Sequence, residues 1–102
     1  MFGKLFKKKL KFEFNEPENT ACLTCFHILE EKSAILYVSH DEDDGGWQFL
    51  CGGENHVEDD ARMVSLKTIV TLDHSINKLH DMPVGMCSER TSADAEWKFY
   101  KK

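Results

Sequence analysis

The sequence predicts an α+β domain, an antiparallel sheet of about five strands with two short helices on one face. Three observations carry this reading. The run Ala34–Ser39 is β-branched and aromatic, bounded by polar residues, and is followed after Asp41–Gly46 by a second such run, Trp47–Cys51. Leu66–Leu72 places Leu66, Ile69 and Val70 at helical spacing, and Asp73 is a good N-cap for a second helix facing Ile76 and Leu79 inward. The length of 102 residues suits one domain with one modest core.

Residues 1–19 read as a basic segment and linker, and residues 20–102 as the domain. Lys4, Lys7, Lys8, Lys9 and Lys11 sit among Phe2, Leu5, Phe6 and Leu10, whose near-helical spacing fits a weak contact with a membrane surface. A frayed, solvated terminus is the simpler reading. Lys11–Phe14 alternates and could begin a strand, and Asn15–Asn19 is a turn by its Asn, Pro and acid content. Thr20–Phe26 is apolar and extended, and Ile28–Lys32 is a helical turn. Gly52–Asp60 is a polar loop and Arg62–Ser65 a short strand. Met82–Gly85 stops the second helix. Met86–Arg90 and Glu96–Tyr100 close the sheet.

The hairpin fixes which side chains meet. If His40 pairs with Trp47, then Val38 lies opposite Phe49 and Leu36 opposite Cys51 on one face, with Tyr37, Ser39, Gln48 and Leu50 on the other. Both faces carry large apolar groups, as in a central hairpin covered on both sides.

Composition narrows the function. Hydrophobic residues are 41% and charged residues 30%, a globular balance. No apolar run reaches the roughly 20 residues of a membrane span, and the basic start lacks the apolar core of a signal peptide, so a cytoplasmic protein is expected. The net charge of −5 is split, with +5 in residues 1–12 and −10 in the remainder. An acidic body repels the phosphate backbone and argues against nucleic acid; it suits a basic protein partner.

The sequence offers few constellations that could carry chemistry. Cys25, His27, Cys51 and His56 have residue types and spacing that zinc tolerates, although a second Cys-x-x-Cys is lacking and the simpler reading of the cysteines is buried small hydrophobes. His40 is excluded from sharing an ion with Cys51, because four residues of strand hold them about 13 Å apart. An EF-hand loop starting at Asp41 finds Gly46 at its sixth position but Gly52 where a bidentate Glu belongs, so Asp41–Gly46 reads as a solvated acidic turn. Cys51 or Cys87 with a histidine carries no local nucleophile signature, and no glycine-rich phosphate loop is present.

Gly46-Trp47-Gln48-Phe49-Leu50-Cys51-Gly52, then Val64-Ser65-Leu66, Asp73-x-Ser75-Ile76, Leu79, Pro83-Val84-Gly85 and Glu89-Arg90 occur in an order that resembles a small bacterial family. That family, a domain of unknown function, is grouped with the thirty-third type of immunity protein from polymorphic toxin systems. The resemblance covers roughly residues 20–100. It implies an α+β fold and neutralisation of a toxin by binding, and it implies no catalytic residues. The chain departs from the commonest form at His40, at Cys25-x-His27 and at Cys51. The expected function is therefore non-catalytic binding of a basic partner, possibly a toxin, through Asp41, Glu42, Asp43 and Asp44 and the second acidic run ending in Glu58, Asp59 and Asp60, with Trp47 as an anchor. A structural-zinc module without other cofactors is the alternative, and an enzyme the third reading.

Overall fold

The computed structural model describes residues 11–52 and 60–102. The amphipathic pattern of residues 1–10 and the candidate residues Glu54, His56, Glu58 and Asp59 lie outside the described residues.

The domain is α+β. Its strands are β1 (Ala21–Cys25), β2 (Tyr37–His40), β3 (Trp47–Leu50), β4 (Ala61–Ser65), β5 (Met86–Glu89) and β6 (Lys98–Lys101). Helix α1 spans Phe26–Glu30, α2 spans Leu66–Leu72, and a 3-10 helix covers His74–Leu79. The six strands form one sheet in the order β4-β1-β3-β2-β5-β6. The expected sheet has about five strands, all antiparallel; the observed one has six among the described residues and contains a parallel pair, β1 with β3. After β1 the chain crosses over through α1, and the returning strand β3 of the hairpin slots between β1 and β2. Thr24, fully buried, adds a side-chain link across that parallel pair, its hydroxyl donating to the Phe49 carbonyl at 2.7 Å.

The hairpin register is the expected one: His40 pairs with Trp47, Ser39 with Gln48, Val38 with Phe49 and Tyr37 with Leu50. Only Gly45 of the two turn glycines takes a positive φ, 71°, a region open to glycine without steric cost. The turn closes through the Asp41 amide on the Gly46 carbonyl and the Gly45 amide on the Asp41 carbonyl.

One face of the sheet carries the core. Val38, Trp47 and Phe49 pack with Leu66, Ile69, Val70, Ile76 and Leu79 from the helices, and with Ile28, Ile35 and Met82. Helix α2 starts where the sequence placed it: Ser65 accepts from the Thr68 amide at 3.1 Å, satisfying a first-turn donor. The opposite face is not closed as expected. There Ser39 is buried but Tyr37, Gln48 and Leu50 are only half-buried among the described residues.

Lys11–Phe14 joins no strand of the sheet. The side-chain amide of Asn77 takes the place of a strand neighbour, accepting from the Glu13 amide at 3.0 Å and donating to the Lys11 carbonyl at 2.8 Å. This holds Phe14 in the core, edge-on to Trp47 with ring centroids 5.1 Å apart. Part of the segment read as linker is thereby laid onto the domain.

Candidate functional site

The residues with chemical potential fall into four groups, and strand direction decides where each group sits. The acidic turn lies at one end of the sheet, beyond His40 and Trp47. Cys25 and Cys51 lie at the other end, because β1 and β3 are parallel and run out together. Asp60 is at that second end too, since β4 starts opposite Cys25. The two acidic runs therefore do not merge into one patch through Asp60: the length of β3, about 10–13 Å, separates it from the turn.

At the acidic turn, Glu42, Asp43 and Asp44 are exposed. Asp41 is not a free contact residue. It accepts hydrogen bonds from Ser39 Oγ and Gln48 Nε2 and pairs with Lys102. Burial pushes its carboxyl pKa up, but these donors outweigh burial and hold it below the ordinary carboxylate range. Asp44 shapes the turn, accepting from the Gly46 amide at 2.8 Å. Glu42, Asp43, Lys101 and Lys102 together line a recess of about 370 Å³.

Trp47 is not the surface anchor that its place beside the acidic turn suggested. It is 2% exposed, its indole N–H donates to Glu16 Oε2 at 2.7 Å, and its ring stacks on His40 at 3.9 Å. His40 in turn donates from Nδ1 to the Met82 carbonyl at 2.7 Å. The aromatic base of the hairpin is core, and it holds the turn from below.

The third group was invisible as a group in the sequence. Arg90, its side chain 1% exposed, donates from Nε to the Ile35 carbonyl at 2.9 Å. Its Nη1 donates to Ser75 Oγ and the Ala93 carbonyl, and its Nη2 to Asp73 Oδ2 at 2.6 Å. The guanidinium lies over the Trp97 ring, 4.2 Å from its centroid. Asp73 also caps the 3-10 helix through the Ser75 amide. Burial raises the Asp73 pKa, but the hydrogen bonds from Ser75 and Arg90 prevail and keep it below the usual range. The only advance signal was the co-occurrence of Asp73-x-Ser75 and Glu89-Arg90 in the family pattern. Their meeting shows what those motifs do: they tie the helical layer to the end of β5.

The fourth group is Cys25, His27 and Cys51, whose ligand atoms all lie within 4.8 Å of one another. Three of the four zinc-type candidates thus come together, and the fourth, His56, lies outside the described residues. Of the remaining thiols, Cys22 is buried and its pKa is pushed up to about 12, which keeps it protonated. Cys87 is buried in β5.

The fold and these groups define a small α+β domain in which, among the described residues, the Arg90 network ties helix to sheet and the exposed acids stand on a hairpin with a core base. The model of the immunity protein Imm33 domain matches residues 22–101, and the chain belongs to that family. No curated protein and no solved structure is matched. No helix among the described residues is long and apolar enough to cross a membrane.

Proposed function

We propose that this domain is a toxin-neutralising immunity protein that acts by binding, without catalysis, in the cytoplasm of a bacterium. Its contact surface centres on the hairpin turn at Glu42, Asp43 and Asp44. The observation that carries this reading is the mounting of the turn. Three exposed carboxylates project from a hairpin whose base, Val38, Trp47 and Phe49, is core. Such a turn loses little conformational freedom on binding, and its charge steers a basic partner. Asp41 supports it from behind through Lys102 and Gln48.

The test begins with the neighbouring genes: a toxin gene found there is co-expressed with this chain, and the purified pair is titrated calorimetrically. Glu42→Lys with Asp43→Lys, which spares the turn-forming Asp44, is expected to weaken binding roughly tenfold or more and to remove protection of cells. Raised salt should weaken the wild-type complex in parallel. Full protection by the double variant would move the contact surface elsewhere.

A further inference from the structure

The geometry points to a zinc site built by Cys25, His27 and Cys51, and we propose that the folded domain binds one zinc ion there. This site stands at the opposite end of the sheet from the acidic turn and is independent of the toxin-binding reading.

The donor set is the first argument. Two thiolates and one imidazole are the ligands a borderline-soft, tetrahedral cation selects over calcium or magnesium. Two thiolates also balance the charge of a divalent zinc, so the loaded centre adds no net charge to a place where Cys25 is 2% exposed.

Geometry is the second. Zinc–sulfur bonds of about 2.3 Å and zinc–nitrogen bonds of about 2.0 Å put tetrahedral donors roughly 3.5–3.8 Å apart. The three donor atoms already lie within 4.8 Å of one another. The donors need to close by only about 1 Å to reach bonding separations.

The backbone is preset by the fold. Cys25 ends β1, a strand paired on both sides, with β3 and β4. Cys51 follows β3, whose parallel pairing with β1 brings the two strand ends to the same level. His27 lies in the first turn of α1, and its carbonyl accepts from the amides of Glu31 and Ser33, which pins that turn. His27 and Cys51 are half-buried, so an ion can reach the donors from solvent. The fourth position is taken by water or another exogenous donor, and His56 forms no part of the proposal. A Cys25–Cys51 disulfide is the competing use of the two sulfurs, but it has no use for His27.

The experiment uses the reduced full chain, freed of metal with a chelator and then titrated with zinc against a competing chromophoric chelator. A parallel titration with cobalt(II) reads the ligands. Expected are one zinc per chain, a higher thermal midpoint with zinc, and a thiolate-to-cobalt charge-transfer band with the visible bands of a tetrahedral site. Affinity should rise with pH, because metal displaces thiol protons. Cys51→Ser and His27→Gln should each weaken binding by at least the roughly 10–100-fold that loss of an outer-shell partner costs. Cys87→Ser should leave binding unchanged. The proposal is overturned if the reduced wild-type chain shows no stoichiometric zinc or no thiolate–cobalt band, a result that depends on no variant folding. It is equally overturned if Cys51→Ser binds as the wild type does, or if metal-free protein holds a Cys25–Cys51 disulfide that reductant opens without creating a zinc site.

Discussion

Asp73→Ala tests the reasoning about the buried network most sharply. The substitution removes the counter-charge of a guanidinium that is 1% exposed and held in place by Ile35, Ser75 and Ala93. Arg90 cannot move to water without abandoning those acceptors, so its charge stays buried and uncompensated. Breaking such a pair costs about 3–5 kcal/mol. The substitution also removes the cap on the Ser75 amide, for about 1 kcal/mol more. Because Asp73 is 24% exposed and water replaces part of the lost interaction, the low end applies, for a total of about 4 kcal/mol. Against a total stability of about 5–15 kcal/mol this is severe. At a urea m-value near 1.5 kcal/mol/M, the unfolding midpoint falls by about 2–3 M. Asp73→Asn keeps one acceptor oxygen, puts an NH2 donor where the other carboxylate oxygen was, and loses the charge, so a fall of about 2–3 kcal/mol is expected, within reach of the assay if the alanine variant unfolds outright. In a double-mutant cycle, Arg90→Met should cost less in the Asp73→Ala background than in the wild type. A loss below about 1 kcal/mol for Asp73→Ala would refute the claim that Arg90 depends on this carboxylate.

Two further outcomes follow from the same geometry. Asp41 and Asp73 both have pKa values held below the ordinary carboxylate range in the folded state, so folding favours their ionised forms. Their contribution to stability is present above the unfolded value of about 3.9 and is lost as pH falls through the folded values. The thermal midpoint should therefore drop steeply below about pH 4, and Asp73→Asn should flatten that acid limb; an unchanged limb counts against the assignment. Asn77→Ala deletes both hydrogen bonds to the Lys11–Glu13 backbone and should cost about 1–3 kcal/mol. Hydrogen exchange should speed up at the Glu13 amide and leave β2 and β3 protected, and uniform loss of protection would argue for a global role instead.

Several elements were legible because their causes are local. Val38 and Phe49 face each other as expected, since a six-residue turn and a period-two pattern leave one register that buries both. Leu66–Leu72 has the predicted limits because Ser65 caps it and Leu66, Ile69 and Val70 share a stripe. Asp73 caps the following segment as expected, though that segment winds as a 3-10 helix. Trp47 was misplaced for a different reason. An indole beside four acids has the same sequence signature whether it faces solvent or core, and the Glu16 carboxylate that satisfies its N–H is 31 residues away. The candidate zinc ligands were nameable from residue type, but their meeting depends on β1 and β3 being parallel neighbours.

The sequence by itself determined the α+β class, the family, the hairpin register and the acidity of its turn. These follow from side-chain periodicity, turn chemistry and motif spacing, which act over a few residues. Only the tertiary structure decided that β3 enters between β1 and β2, that Arg90 reaches Asp73, and that Cys25, His27 and Cys51 converge while the acidic turn and Asp60 part. Those outcomes depend on the order and direction of strands in the sheet. That order is selected by the burial of Val38, Trp47 and Phe49 against Leu66, Ile69 and Ile76, side chains distant in the chain whose contact no local pattern encodes.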